Sequence, residues 1–345
     1  MSKTLYLHIG THKTATTTLQ HFLAKNRKAL RAVGLFYPQQ NIVGAPRHYA
    51  HHRIAHAIAG RDDKLDFDCA TAFFAKAMEL AGEDDRILIS AEPFFRHMIK
   101  RKNDPATDPE PALYHYAKKV RAACGDADVR IVVMLRRQDL FIESMYGEHV
   151  LSTGYQHEIA SFIEERHWML DYRQRLAVWA DVFGADNIMV RTFERESMDT
   201  PVEQYFLNWL GVDWCDGFDA AGDQNVALNR TFVEFKRQMN FPNQPSGHNT
   251  RLREWLTMAA ALPFAADLPN RGKYYLNPKD RYTLMEAQED GNREVARTYF
   301  DRENLFLRRV EQDAKHYPGT DIVTDREIQK ITRHLLRMIV QPGVG

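Results

Sequence analysis

The stretch LYLHIGTHKTATTTLQHFLAKN, Leu5 to Asn26, decides how the rest of the chain is read. Leu5, Tyr6, Leu7 and Ile9 have the composition of a buried strand, and Leu19, Phe22, Leu23 and Leu30 recur at helical spacing, which predicts a helix over 17–30. Between them lies Gly10-Thr11-His12-Lys13-Thr14-Ala15-Thr16. A strand, a tight loop and a helix start form an anion site, because unpaired backbone N–H groups and the helix dipole converge on the ligand. Lys13 adds a cation, and Thr14, Thr16, Thr17 and Thr18 add hydroxyl donors. Threonines that merely cap a helix are the competing reading.

Further β-rich runs follow at 34–38, 86–90, 129–135 and 187–193, alternating with helical patterns at 68–80, 114–123, 140–150 and 172–183. Runs of nearly continuous Ile, Val and Leu predict strands covered on both faces, hence a mostly parallel sheet with crossover helices. The segment 103–111, with its prolines, reads as a loop, as does 240–249. Beyond residue 225 the pattern is mainly helical, over 231–239, 251–260, 278–300 and 325–339. The expected organisation is a single domain over 1–345, an α/β core to about residue 225 and a helical C-terminal part from about 226 packed on it.

Composition narrows the function. The 345 residues carry 46 Lys plus Arg against 46 Asp plus Glu, a net charge of zero that disfavours nucleic acid as partner. Three scattered cysteines, Cys69, Cys124 and Cys215, suggest neither a disulfide framework nor a zinc site. No apolar run approaches the ~20 residues that span a bilayer, and the N-terminal stretch does not read as a signal peptide. A cytoplasmic protein without a transmembrane segment is the expectation; oligomeric state is not legible.

The loop lacks both GxxxxGK[ST] and GxGxxG. A second constellation, VVMLRRQDLFIESMY, Val132 to Tyr146, ends a buried strand in Arg136 and places Ser144 in the following helix. An arginine at the carboxyl end of a strand faces the crevice where open α/β sheets bind ligands, and can grip a phosphate bidentately. Asp139 is expected to cap the helix or pair with Arg137.

HIGTHKTATTTLQ and LRRQDLFIESMY together resemble the sulfotransferase superfamily that uses 3'-phosphoadenosine 5'-phosphosulfate (PAPS), most closely its bacterial carbohydrate-sulfotransferase-like branch. The resemblance implies a three-layer α/β fold with a P-loop-like phosphosulfate-binding loop. It implies that Lys13, Thr14, Ala15, Thr16, Thr17 and Thr18 cradle the 5'-phosphosulfate and that Arg136 and Ser144 hold the 3'-phosphate. Similarity continues at 179–194 and 277–300, with Asn292 in the usual setting, and Arg271-Gly272-Lys273 is similar to a glycine-basic loop closing over the nucleotide. Ala15 departs from the family's glycine; if that position needs positive φ, alanine costs about 1 kcal/mol. Gln138 stands where many animal members carry proline.

The activity so implied is sulfuryl transfer from PAPS to a hydroxyl, with an amine as second choice, of a carbohydrate or glycolipid, and it requires no metal. An ATP-dependent kinase and a non-catalytic nucleotide-binding protein are the alternatives. Lys13 is the expected acid or charge stabiliser. Glu92, in ILISAEPFF, is the expected base, with Ser90 as cap of a helix starting at residue 91 the competing reading and His12 the second choice. His48, His52 and His56 share i, i+4 spacing; contact of His51 or His52 with the acceptor outranks a metal site there. Tyr146, Tyr155, Trp168 and Tyr172 suit sugar stacking or, equally, helix packing.

Overall fold

The computed structural model describes residues 3–82, 86–100, 109–220, 228–245, 247–269, 271–272, 274–310 and 323–340. Five strands form one sheet: β1 (Thr4–Gly10), β2 (Leu35–Phe36), β3 (Arg86–Ser90), β4 (Asp128–Leu135) and β5 (Ile188–Thr192). The helices up to β5 are α1 (Thr16–Lys25), α2 (Arg27–Ala32), α3 (His52–Ile58), α4 (Phe67–Leu80), α5 (Pro93–Arg96), α6 (Glu110–Ala123), α7 (Gln138–Ser152), α8 (Ile159–Arg166) and α9 (Tyr172–Phe183). After it come α10 (Val202–Trp209), α11 (Arg230–Met239), α12 (His248–Ala260), α13 (Pro278–Glu286), α14 (Glu289–Phe300) and α15 (Asp325–Val340).

The chain divides into two compact units that interleave in sequence: 1–137, 168–225 and 288–308 form one, and 138–167, 226–287 and 309–345 the other. The first holds the sheet, in the order β2-β3-β1-β4-β5 with every pairing parallel. From β1 the chain runs to the β2–β3 side, and only after β3 does it cross to β4. The order therefore reverses beside β1, where an α/β sheet opens a crevice at the carboxyl ends of its strands.

Alternation along the strands explains their apolar runs. Leu88, Val132 and Met134 pack on one face with Leu19, Phe22 and Leu23 of α1 and Phe206 and Leu207 of α10. Leu7, Ile87, Ile89, Ile131 and Val133 are fully buried as well; by the period of two their side chains point to the opposite face. Both faces are covered, so neither shows polar alternation.

The second unit is helical. Phe232 and Phe235 of α11, Leu256 and Ala259 of α12, and Ile331 and Leu335 of α15 form its core. Within it Asp139, in the first turn of α7, meets Arg281 of α13 with Nη2 to Oδ2 at 2.5 Å and Nε to Oδ2 at 3.0 Å. Arg137 donates to the carbonyl of Arg308.

Two predicted helices are each broken in two. The helix expected over 17–30 stops at Asn26, whose side chain donates to the Phe22 and Asp219 carbonyls and accepts from Asp219 N. The pattern over 278–300 divides at Ala287–Gln288. Residues 103–108 of the expected 103–111 loop lie outside the described residues; Pro111 occupies the first turn of α6, where its missing N–H removes no intrahelical bond.

Asp139 and Arg281 are both almost fully buried. Removing one partner strands the other charge, so Asp139→Ala is expected to lower stability by about 3–5 kcal/mol, measured by urea unfolding. A loss below about 1 kcal/mol would contradict the pair's assigned role.

Candidate active site

The loop after β1 is shaped by left-handed backbone. Gly10 has φ +99°, Lys13 +68° and Ala15 +57°. A Cβ on Gly10 would stand 3.2 Å from Glu92 Cα, so glycine is needed there for both space and conformation. Lys13 and Ala15 have no such freedom, and their placement stores about 1–2 kcal/mol each. Reversals of handedness turn successive N–H groups toward a common concavity, the nest that binds anions. Ala15 is the N-cap of α1 and offers no side-chain cap. The N–H groups of the first turn, over Thr16, Thr17 and Thr18, therefore lack the side-chain partner that a capping threonine would supply.

The neighbouring strand fixes the loop. Thr11 sends both its N–H, at 3.0 Å, and its Oγ1, at 3.1 Å, to the Met134 carbonyl of β4. Thr14 Oγ1 donates to the Thr11 carbonyl at 2.9 Å, so that hydroxyl is spent inside the loop. Arg136, just past β4, donates from Nη1 to the Lys13 carbonyl at 2.8 Å. The Arg136 carbonyl in turn accepts from Tyr172 Oη at 2.6 Å.

Glu92 lies beside this loop at the end of β3. It is 5% exposed. Its Oε2 accepts from Gln20 Nε2 at 3.2 Å and lies 2.6 Å from His52 Nε2, and Thr16 adds a hydroxyl bond. Burial pushes the carboxyl up, but the His52 bond and charge, the His12 field and the Thr16 hydroxyl outweigh it and hold Glu92 well below the usual carboxylate range. Ser90 ends β3 rather than capping a helix: its Oγ accepts from Gln20 and meets His8 Nδ1. Gln20, one turn into α1, thus ties Ser90 to Glu92, a role its sequence position did not signal.

The surrounding histidines are held neutral. Burial draws His8, His12 and His51 down to about 4, against opposing pulls from the Glu92 charge on the first two and from the Pro38 carbonyl on His51. His51 Nδ1 accepts from Ser90 N and its Nε2 reaches the Pro38 carbonyl at 2.9 Å, which assigns the proton to Nε2. His8 Nε2 and His12 Nε2 are buried without a partner. His48, His52 and His56 do not share one helix, because α3 begins at His52. His48 stacks on Tyr49, which stacks on His21, while His56 Nδ1 meets His97 Nε2 at 2.7 Å. Among the described residues no cluster of three or more His, Cys, Asp and Glu side chains is placed to hold a metal.

Lys13, the threonine loop, His12, Glu92, His52 and Arg136 therefore all belong to the first unit. Ser144 is half-buried in α7 of the second. There Arg271 is buried and bonded at both terminal nitrogens to Glu327, at 2.8 and 2.7 Å, and to Thr231 Oγ1. That pairing gives its guanidinium a structural task. Gly272 follows with φ +70°, and Lys273 lies outside the described residues. Tyr146 packs edge-on against Tyr155, Phe162 and Tyr275, a packing role.

Two outcomes are expected. Ala15→Gly relieves the left-handed strain, partly offset by glycine's greater freedom when unfolded, for a net gain of about 0.5–1 kcal/mol in denaturant unfolding; unchanged or lower stability would contradict it. Folded His8 and His51 titrate near 4 and their unfolded counterparts near 6.5. Between those values the unfolded chain binds more protons, so stability falls as pH falls, by up to about 1.4 kcal/mol per pH unit for each histidine. Depressed Glu92 adds a loss of the same sign only below its own unfolded value of 4.5. Thermal unfolding at pH 7.5, 6 and 5 checks this, and a flat profile would refute it.

No protein-family profile matches the chain. It is similar, at 24% identity over 220 residues, to an uncharacterized protein of Archaeoglobus fulgidus. That match spans 62% of this chain and 59% of the relative, about three fifths of the latter's length. The crystal structure of a sulfotransferase from Alicyclobacillus acidocaldarius is similar with a TM-score of 0.39 and 14% identity, covering 69% of this chain and 95% of that one.

Proposed function

We propose that the chain transfers the sulfuryl group of PAPS to a hydroxyl of a carbohydrate or glycolipid acceptor, releasing adenosine 3',5'-bisphosphate. The observation that carries this reading is the 2.8 Å bond from Arg136 to the Lys13 carbonyl, which joins the two sequence motifs at the crevice beside β1. A nest with a lysine at its rim suits a terminal oxyanion, and a guanidinium at the adjacent strand end suits a second phosphate on the same small molecule.

In this reading the donor's phosphosulfate lies on the N–H groups of the loop and of α1. Sulfuryl transfer needs in-line placement of the acceptor oxygen and stabilisation of charge on the departing phosphate. The Lys13 ammonium meets that charge as the S–O bond to the bridging oxygen breaks. Glu92, buried and anionic, orients His52: with Nε2–H donating to the carboxylate, Nδ1 is left as an acceptor for the proton of the attacking hydroxyl. The His52 side chain is 30% exposed against 7% for Glu92, so the imidazole is the accessible end of the pair. His12 lines the same space as a neutral group, and Ser144, Arg271, Gly272 and Lys273 remain assigned to the cofactor by resemblance alone.

The test is thermal shift with adenosine 3',5'-bisphosphate, ATP, and ATP with magnesium, followed by labelled-sulfate transfer to a glycan panel. Selective stabilisation by the bisphosphate is expected. Stabilisation only by ATP with magnesium would instead favour a kinase, and bisphosphate binding without transfer a nucleotide-binding protein. Lys13→Ala is expected to lower turnover by about 10²–10³-fold, and Arg136→Ala to weaken bisphosphate binding by about tenfold or more. Unchanged affinity in Arg136→Ala would remove its phosphate assignment.

A further inference from the structure

Helix α9 turns Tyr172, Arg175, Leu176 and Trp179 inward within the first unit. Arg175 is 2% exposed, and among the described residues its side chain makes no hydrogen bond or ion pair. Its guanidinium lies over the Phe95 ring at 4.4 Å and the Trp168 ring at 5.1 Å. Aromatic faces offset only part of the desolvation of a buried charge. Burial draws this group down to about 9, which leaves it a cation at neutral pH. The nearest acid in sequence, Asp171, is occupied elsewhere: Oδ1 caps the Gln174 N–H at 2.9 Å and Oδ2 lies 3.8 Å from Arg173.

The two buried nitrogens without a partner are Nε and Nη2. They form the side edge of the guanidinium, the pair of parallel donors that matches the two oxygens of a carboxylate or sulfate. One helical turn on, Trp179 Nε1 is buried and also lacks a partner. Residues i and i+4 share a helix face, so all three donors belong to one stripe of α9.

We propose that Arg175, framed by Phe95 and Trp168 and joined by the Trp179 indole N–H, is an oxyanion site that takes a carboxylate or sulfate group. Trp168 is the half-buried ring of the two and Phe95 the fully buried one. The site borders the crevice: Phe95 N–H donates to the Glu92 carbonyl at 3.1 Å, and Tyr172, three residues before Arg175, donates to the Arg136 carbonyl. The group bound is either a free oxyanion or the acidic group of the acceptor; the second source rests on the proposed sulfuryl transfer and would make the acceptor an acidic saccharide.

The experiment uses the full chain in a Lys13→Ala background, so that the loop after β1 contributes little. Sulfate, acetate and glucuronate are titrated at constant ionic strength against chloride, by calorimetry and thermal shift. Saturable binding is expected, at least tenfold weaker in Arg175→Met, with Arg175→Met at least as stable as its parent when no oxyanion is present. Arg175→Lys, which keeps the charge and loses the fork, is expected to fall between and carries the test if the Met variant does not fold. Glucuronate binding tighter than acetate and sulfate identifies the acceptor's acid group; equal binding of the small ions identifies a free oxyanion. Equal affinity in the Arg175 variants, or no saturable binding of any probe, overturns the site. Saturable oxyanion binding in a protein that ignores adenosine 3',5'-bisphosphate would leave this site standing and remove the proposed function.

Discussion

The hydrogen bond from Arg136 to the Lys13 carbonyl, backed by the two Thr11 bonds to Met134, is the constraint on which the site depends. A loop with left-handed residues at 10, 13 and 15 is not a shape the isolated chain would keep. Glycine supplies the first of these at no steric expense; lysine and alanine do not. The loop holds because β4 fixes it from outside, and β4 is adjacent to β1 only because the strand order places it there. Topology and strain are therefore one fact seen at two levels: the sheet order sets the crevice, and the crevice edge fixes the loop.

Around Glu92 the governing quantity is charge in a low-dielectric space. Four histidines, His8, His12, His51 and His52, lie at or near the end of β3, and burial keeps the first three neutral. Glu92 stays ionised because its oxygens are satisfied by His52, Gln20 and Thr16. With His8, His12 and His51 neutral, Lys13 and Arg136 are the loop's own cations. Two cations beside neutral histidines suit an anionic ligand.

How much of this was legible in the sequence follows from where each partner lies. The strands at 86–90 and 129–135 and the helix at 172–183 read directly, because their patterns are set by burial along a single element. The break at Asn26 did not: its cause is Asp219, 193 residues away. Nor does the sequence reveal the contact of Asp139 with Arg281, 142 residues on. The site divides in the same way. Lys13, Glu92 and Arg136 stand at strand ends, a position that sequence reveals, while the His52–Glu92 bond and the Gln20 bridge depend on how α1 and α3 pack. Ala15 is the instructive case: the motif departure raises the question of positive φ there, and only the backbone, at +57°, answers it.

Several departures from local rules in the first unit adjoin the same strand ends. Left-handed Lys13 and Ala15, the partnerless His12 Nε2, and the unsatisfied edge of Arg175 all occur on segments that reach the carboxyl ends of β1, β3 and β4 or touch residues there. The opposite strand ends show ordinary satisfaction: Lys3 Nζ is bonded to the Met78 and Ala81 carbonyls, and Arg130 Nη1 to the Asp186 carbonyl. An oxyanion placed at the carboxyl edge would satisfy buried donors such as the side edge of Arg175.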